Sequence, residues 1–319
     1  MKLARLAPMP VVAASTAGEP SQRFWLTALG LALLVLSASA LAVYWERAPS
    51  SGGDWDPLSE DQRWELAMTY SPVLRFSVEE RTFPSEAEYF IGRSHLTDRG
   101  RTIIVENPIS DELSLAGRGT YLDNYKGSGD DMGVITAYEN DISIVQPTVY
   151  VRVTEGDGKV ALQYWMFYVF NLGTFNSHEG DWEMVQVVLD REDLEPQRAV
   201  LSQHHGFGRE DWDEGVDAEN GTHPVVIVSR GSHANYFPGT RSIIAGDKID
   251  GSGERWEPQD YVLVPIGEEW NGAVPGWLLF QGHWGEPGGI WGGMLGTEGP
   301  LGPMFREDGE MWDCLSWGS

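Results

Sequence analysis

The sequence predicts a mainly β protein: an antiparallel β-sandwich with a few short peripheral helices, preceded by one N-terminal transmembrane helix. Three observations carry this expectation. From residue 147 onward, short runs with apolar residues at alternate positions are separated by turn residues, the period-two signature of strands. The 38 Gly and 18 Pro among 319 residues favour frequent turns over long helices. Residues 24–45 carry no charged side chain at all.

Taken in order, FWLTALGLALLVLSASALAVYW (24–45) would form a helix of roughly 33 Å, enough to cross a bilayer. Phe24 and Trp25 at one end and Tyr44 and Trp45 at the other suit the headgroup level. Lys2, Arg5 and Arg23 precede the segment, so the positive-inside rule puts residues 1–23 in the cytoplasm and the rest outside it. Ala38-Ser39-Ala40 has the spacing of a signal-peptidase site, and cleavage there would make the protein secreted. The long leader and double aromatic belt favour the single-pass anchor. Residues 46–53 read as a linker and 54–319 as a single extracytoplasmic domain with a Gly/Trp-rich C-terminal region.

In that domain, Ser59 and Gln62 have capping-box spacing ahead of a helix over 60–70. Ser85 and Glu88 have the same spacing after Pro84. TVYVRVT (148–154), the turn Glu155-Gly156-Asp157-Gly158 and KVALQYWMFYVF (159–170) predict a hairpin whose second arm is covered on both faces. Further strands are expected at 181–190, 198–205, 223–230 and 260–266. The tryptophans beyond residue 251 are read as a plug at the end of the sandwich, since large aromatics are mostly buried.

Charge and cysteine content narrow the function. The formal net charge of −26 divides into +2 over residues 1–50 and −28 beyond, which disfavours nucleic acid and makes cations the natural partners. Cys314 alone permits neither an intrachain disulfide nor a thiolate zinc cluster. No nucleophile elbow, phosphate loop, dinucleotide fingerprint or His-Glu-x-x-His is present.

The chemistry-bearing residues concentrate at strand ends. In His178-Glu179-Gly180-Asp181-Trp182-Glu183, strand alternation puts Asp181 and Glu183 on one face about 7 Å apart. Their repulsion requires a cation, a proton on one of them, or Arg and backbone donors. A hard divalent ion is the simplest remedy, with calcium, magnesium or manganese ahead of zinc and His178 and His233 as additional ligands. For His204-His205, alternation sends the rings to opposite faces, so only one can join a given site.

YSPVLRFSVEERTFPSEAEYF (70–90), LQYWMFYVFN (162–171), HEGDWEMVQV (178–187), SQHH (202–205), HPVVIVSRGSHANYF (223–237), GHWG (282–285) and GPLGP (299–303) together resemble the vacuolar protein sorting-associated protein 62 family, largely a domain of unknown function. A weaker likeness is to the necrosis- and ethylene-inducing peptide-like cytolysins, whose Gly-His-Arg-His-Asp-Trp-Glu heptapeptide binds a divalent cation in a β-sandwich. His178, Asp181, Trp182 and Glu183 match that motif, whereas Ser177 and Gly180 replace its first glycine and second histidine. That resemblance implies metal binding and leaves cytolysis unsupported.

The leading expectation is an anchored binding protein that uses a divalent cation on His178, Asp181, Glu183 and His233 to hold a glycan or lipid headgroup. The alternatives are a metal-dependent hydrolase with His205 or His233 as proton shuttle, and a structural envelope protein without metal.

Overall fold

The computed structural model describes residues 55–128, 132–172, 177–241, 246–270, 274–287 and 298–313. The expected span 24–45 and Cys314 lie outside them. Among the described residues no helix is long and apolar enough to cross a membrane.

The domain is mainly β. In chain order, helix α1 (Glu60–Thr69) precedes β1 (Val73–Phe76), α2 (Ala87–Ile91), β2 (Ser94–Asp98), β3 (Ile103–Glu106), β4 (Thr120–Asn124) and α3 (Met132–Ile142). The long strands follow: β5 (Thr148–Gly156), β6 (Lys159–Asn171), β7 (His178–Asp190), β8 (Pro196–Gln203) and β9 (Gly206–Asp211). Then come β10 (Ala218–Glu219), β11 (His223–Val228), β12 (Asn235–Tyr236), β13 (Arg255–Trp256) and β14 (Val262–Pro265).

A six-stranded sheet in the order β14-β5-β6-β7-β8-β9 forms the middle layer. Its central strands β6 and β7 are buried on both faces almost from end to end, which explains a sequence as continuously apolar as VALQYWMFYVF. One face packs on the sheet built around β1 and β11, burying Leu74, Val226, Leu162, Tyr164 and Val185. The other face carries Trp165, Phe167, Trp182 and Met184, covered by α2, by Leu96 and Leu122 of the β3-β2-β4 sheet, and by Trp277 and Trp284. Each such large apolar side chain contributes about 1.5–3 kcal/mol on full burial.

The expected hairpin is present, with Asp157 at φ 50 and Gly158 at φ 71 turning β5 into β6, the left-handed pair that a two-residue turn needs. Helix α1 has both bonds of the Ser59–Gln62 capping box. Trp277 and Trp284 are fully buried, as a plug requires.

Four expectations are corrected. The sheets are not purely antiparallel: β1 pairs with β11, and β14 with β5, in parallel. Parallel neighbours need long crossovers, and here 146 residues (77–222) separate β1 from β11 and 105 (157–261) separate β5 from β14. Helix α2 is not peripheral, since Ala87, Tyr89, Phe90 and Ile91 are all buried. Ser85 does not cap it: Glu86 stands at the N-cap with no side-chain bond, and the Ser85 backbone pairs with Pro147. His204 and His205 do not alternate across a strand, because β8 ends at Gln203 and His204 takes φ 56.

Candidate functional site

The site grows from the first half of β7. Gly180 adopts φ +58, and a Cβ there would lie 2.4 Å from the carbonyl oxygen of Trp284, so only glycine fits both the conformation and the space. This left-handed residue divides the acids of β7. Glu179 turns toward β4, where its Oε2 accepts bonds from the backbone N–H of Asn124 at 2.9 Å and of Glu286 at 3.0 Å. Asp181 and Glu183 project from the opposite face, paired across the ladder with Tyr168 and Met166.

His233 meets Asp181 there. It follows β11 in Gly231-Ser232-His233. Gly231 is at φ +77, with a Cβ-sized space filled by the Leu172 carbonyl. His233 itself is at φ 56, a conformation that costs a non-glycine residue about 1–3 kcal/mol and clusters at functional sites. Its Nδ1 donates to Asp181 Oδ2 at 2.9 Å, while Nε2 lies 2.8 Å from Thr82 Oγ1 and 3.7 Å from Glu80 Oε1. The ring stacks on Tyr168 at 3.8 Å. Burial opposes charging this imidazole, but its bonds to Asp181 and Glu80 outweigh burial and lift it to about 9. His233 is therefore an imidazolium at neutral pH, with both N–H groups committed.

The other members have equally definite partners. Burial would raise the Asp181 carboxyl, yet the His233 bond and the charges of His233 and Arg306 hold it below its ordinary value. Burial and the neighbouring Asp181 push Glu183 up to about 7, while its Oε2 accepts from Ser202 Oγ. The Arg306 guanidinium bridges the two, with Nη1 3.7 Å from Asp181 Oδ1 and Nη2 3.5 Å from Glu183 Oε1. His178 is kept neutral by burial. Its Nδ1 donates to the carbonyls of Glu179 and Gly180, and Nε2 accepts from Asn171.

Thus the four expected ligands do converge, but their atoms are occupied. His233 has no lone pair to offer, both ring nitrogens of His178 are engaged, and a guanidinium touches both carboxylates. Among the described residues no group of three or more His, Cys, Asp or Glu is arranged to hold a metal ion. As placed, the residues do not fit a resident divalent cation.

The cluster forms the floor of a cavity of about 360 Å³. His204 and His205 both line it, together with Glu307. His204 Nε2 is 2.9 Å from Asp247 Oδ2, a bond that raises its pKa against burial. The His205 side chain stands at the mouth, 90% exposed, 3.1 Å from Glu307. Sequence reasoning missed Arg306, Ser202, Glu80 and Thr82. The signal for Arg306 was the need of two buried carboxylates for a positive charge, met by an arginine just after the Gly299–Pro303 motif. Of the remaining histidines, His223 Nδ1 bonds the Ser71 carbonyl, while His283 stacks on Tyr121, bonds Gly299 and also lines the cavity.

No family model matches the chain. Among curated proteins it is similar to vacuolar protein sorting-associated protein 62 of Saccharomyces cerevisiae, 25% identical over 74% of this chain. The match spans 64% of that relative's length. The motif resemblance to that family is thereby borne out. Among solved structures it is similar to necrosis and ethylene inducing protein 2 from the causal agent of cocoa's witches' broom disease, at 14% identity and TM-score 0.34 over 70% of this chain and 79% of that one. Another is NLPPya in complex with mannosamine, at 16% identity and TM-score 0.36 over 72% of this chain and 82% of that one.

Proposed function

We propose that the protein is a binding module that takes a hydroxyl-bearing ligand, a glycan or a lipid headgroup, into the cavity above Asp181 and Glu183. One observation carries this reading: residues from β7, from the turn after β8 and from the Arg306 segment converge on a single concave polar space. Its volume falls within the usual 300–1,000 Å³ of small-ligand pockets. Carboxylate acceptors lie beside guanidinium and imidazole donors, and a hydroxyl, being donor and acceptor at once, is suited to such a mixed lining.

The anchor at 24–45 belongs to the same proposal. Trp55, the first described residue, lies against Gly158 at the hairpin end of β6. The cavity begins at Asn171, at the other end of that 13-residue strand, roughly 43 Å away. A tether at 46–53 would therefore hold the hairpin end nearest the bilayer and leave the cavity outward, which favours a glycan over a headgroup of the protein's own membrane. Asp181 and Glu183 would hold a divalent cation only with Arg306 withdrawn.

A second reading, hydrolysis, is favoured by the divided carboxyls. Asp181 is held ionised while Glu183 titrates near 7, a division typical of acid–base pairs. His205, at the mouth, would then be the proton shuttle, since His233 has both protons committed inside.

Glycan and lipid arrays probed with the purified protein test both readings. The expected result is saturable binding of one glycan class, weakened about tenfold, or about 1.4 kcal/mol, by His205→Ala, with the ligand recovered intact. Recovery of shortened glycan would favour the hydrolase. Binding to neither array would overturn the module.

A further inference from the structure

We infer that Arg306 is a built-in counter-ion that determines the site's specificity: it holds the place between Asp181 and Glu183 that a divalent cation would take, and it presents a donor to the ligand instead. The inference rests on the reading of this cavity as the ligand site, and it states what that site refuses as well as what it accepts.

Charge balance is the first argument. Three buried carboxylates, Glu80, Asp181 and Glu183, face two buried cations, His233 and Arg306. A dication placed between Asp181 and Glu183 would stand against the Arg306 guanidinium that already reaches both, a like-charge contact that is unfavourable. Without Arg306, and with Glu183 ionised, the three acids and His233 would leave two negative charges unmatched, the balance a dication satisfies. Arg306 therefore determines whether the site is closed or open to such ions.

The second argument is that the arginine is placed by its backbone. The N–H groups of Phe305 and Arg306 both donate to the Gly302 carbonyl at 2.9 Å. Gly302 rests on the indole of buried Trp284, and a Cβ at Gly299 would come 1.8 Å from the Trp284 carbonyl oxygen. The segment leading to Arg306 is thus seated on the tryptophan plug, and only glycine permits that approach. Its Nη2 also reaches the His204 carbonyl at 3.4 Å, which ties the guanidinium to the cavity wall.

Arg306 also has donors to spare. Arg306 Nε is buried and has no hydrogen-bond partner among the described residues. Its contacts with the two carboxylates, at 3.5 and 3.7 Å, are longer than the 2.7–2.9 Å of a tight charge-assisted bond. A guanidinium has five N–H donors in a fixed plane, so hydroxyl oxygens of a bound glycan can be met without breaking either ion pair.

The test compares the full-length protein with Arg306→Met and Arg306→Lys. Each is stripped with a chelator and melted against calcium, magnesium and manganese. Wild type and Arg306→Lys are expected to be indifferent to every ion. Arg306→Met should melt lower and be restored saturably by one of them, by roughly 5 °C at a hundredfold excess over Kd, an effect absent from Arg306→Met/Asp181→Asn. Indifference of Arg306→Met would overturn the inference.

Should Arg306→Met fail to fold, terbium luminescence on the wild type decides. Absence of saturable binding supports the inference, and saturable binding lost in Asp181→Asn overturns it. The two levels separate cleanly. A wild type that binds both metal and glycan refutes the counter-ion and keeps the module. A wild type that binds neither keeps the counter-ion and refutes the module.

Discussion

Two groups of buried acids lie either side of Gly180, only a few residues apart, and they meet the cost of burial in opposite ways. Asp181 and Glu183 sit among cations, with His233 donating to one and Arg306 bridging both. Glu179 faces other carboxylates. Burial first, then the charges of Asp123 and Glu286, drive its pKa well above the ordinary 4.5. Its Oε1 is buried with no hydrogen-bond partner among the described residues. Asp181 keeps its charge by importing counter-charge from distant segments, while Glu179 is pushed toward its protonated form. The difference teaches that acid-rich sequence does not specify electrostatic state. The turn of one glycine decides which face, and so which chemistry, each acid enters.

The strongest way to break the comparison is Asp181→Asn, which leaves His233 and Arg306 facing a neutral amide. Removing one partner from a buried ion pair costs about 3–5 kcal/mol, read as a lowered Tm. The pH window follows from the signs. Asp181 has a folded pKa below its ordinary 3.8, so its contribution is complete above 3.8 and lost as pH falls through the lowered value. His233 is raised from 6.5 to about 9, so its contribution is complete below 6.5 and lost as pH rises through 9. The gap between wild type and variant should be widest between pH 4 and 6.5 and narrow on both sides. A gap that does not change with pH would mean that no titrating pair is present.

Gly180→Ala tests the divider itself. An L-residue at φ +58 carries about 1–2 kcal/mol of strain, and the added methyl meets the Trp284 carbonyl at 2.4 Å, an overpacking worth about 1–3 kcal/mol. Together these predict a loss of about 2–5 kcal/mol in denaturant unfolding. Gly285→Ala, with φ +144 and a contact of 2.6 Å at the Glu179 carbonyl, should behave alike. A neutral result at both positions would mean that the Trp284–Gly285 backbone packs loosely on β7.

Much of the fold was legible because it obeys local rules. The alternation of 148–154, the Asp157-Gly158 turn and the Ser59–Gln62 box each contain their own instruction. The parallel pairings were not legible, since β1 and β11 meet across a long stretch of intervening chain and no local pattern encodes a crossover. The site was half legible. His178, Asp181, Glu183 and His233 gather as their motifs implied, because the start of β7 and the turn after β11, from two different sheets, converge. Arg306 was invisible for the opposite reason: it reaches the site through glycine contacts on Trp284 rather than through any spacing to β7. Its presence turns an expected ion site into one already neutralised.

The smallest expected effect is a gain, and it separates the two groups most sharply. Glu179→Gln keeps an oxygen to accept from Asn124 and Glu286 and puts an amide where Oε1 lacked a partner. A carboxyl whose folded pKa lies above 4.5 costs the fold more stability as pH rises beyond 4.5, up to its folded pKa, so the substitution removes a penalty present at pH 7 and absent at pH 4. The variant should therefore melt above wild type by about 2–4 °C at pH 7 to 8, the equivalent of about 1 kcal/mol, and no higher at pH 4. Asp181→Asn is the control from the other side, because that carboxyl is held below its ordinary value by His233 and Arg306, and no gain is expected at any pH. If Glu179→Gln destabilised at pH 7, Glu179 would have to be ionised, and a cation would have to stand beside it as Arg306 stands beside Glu183.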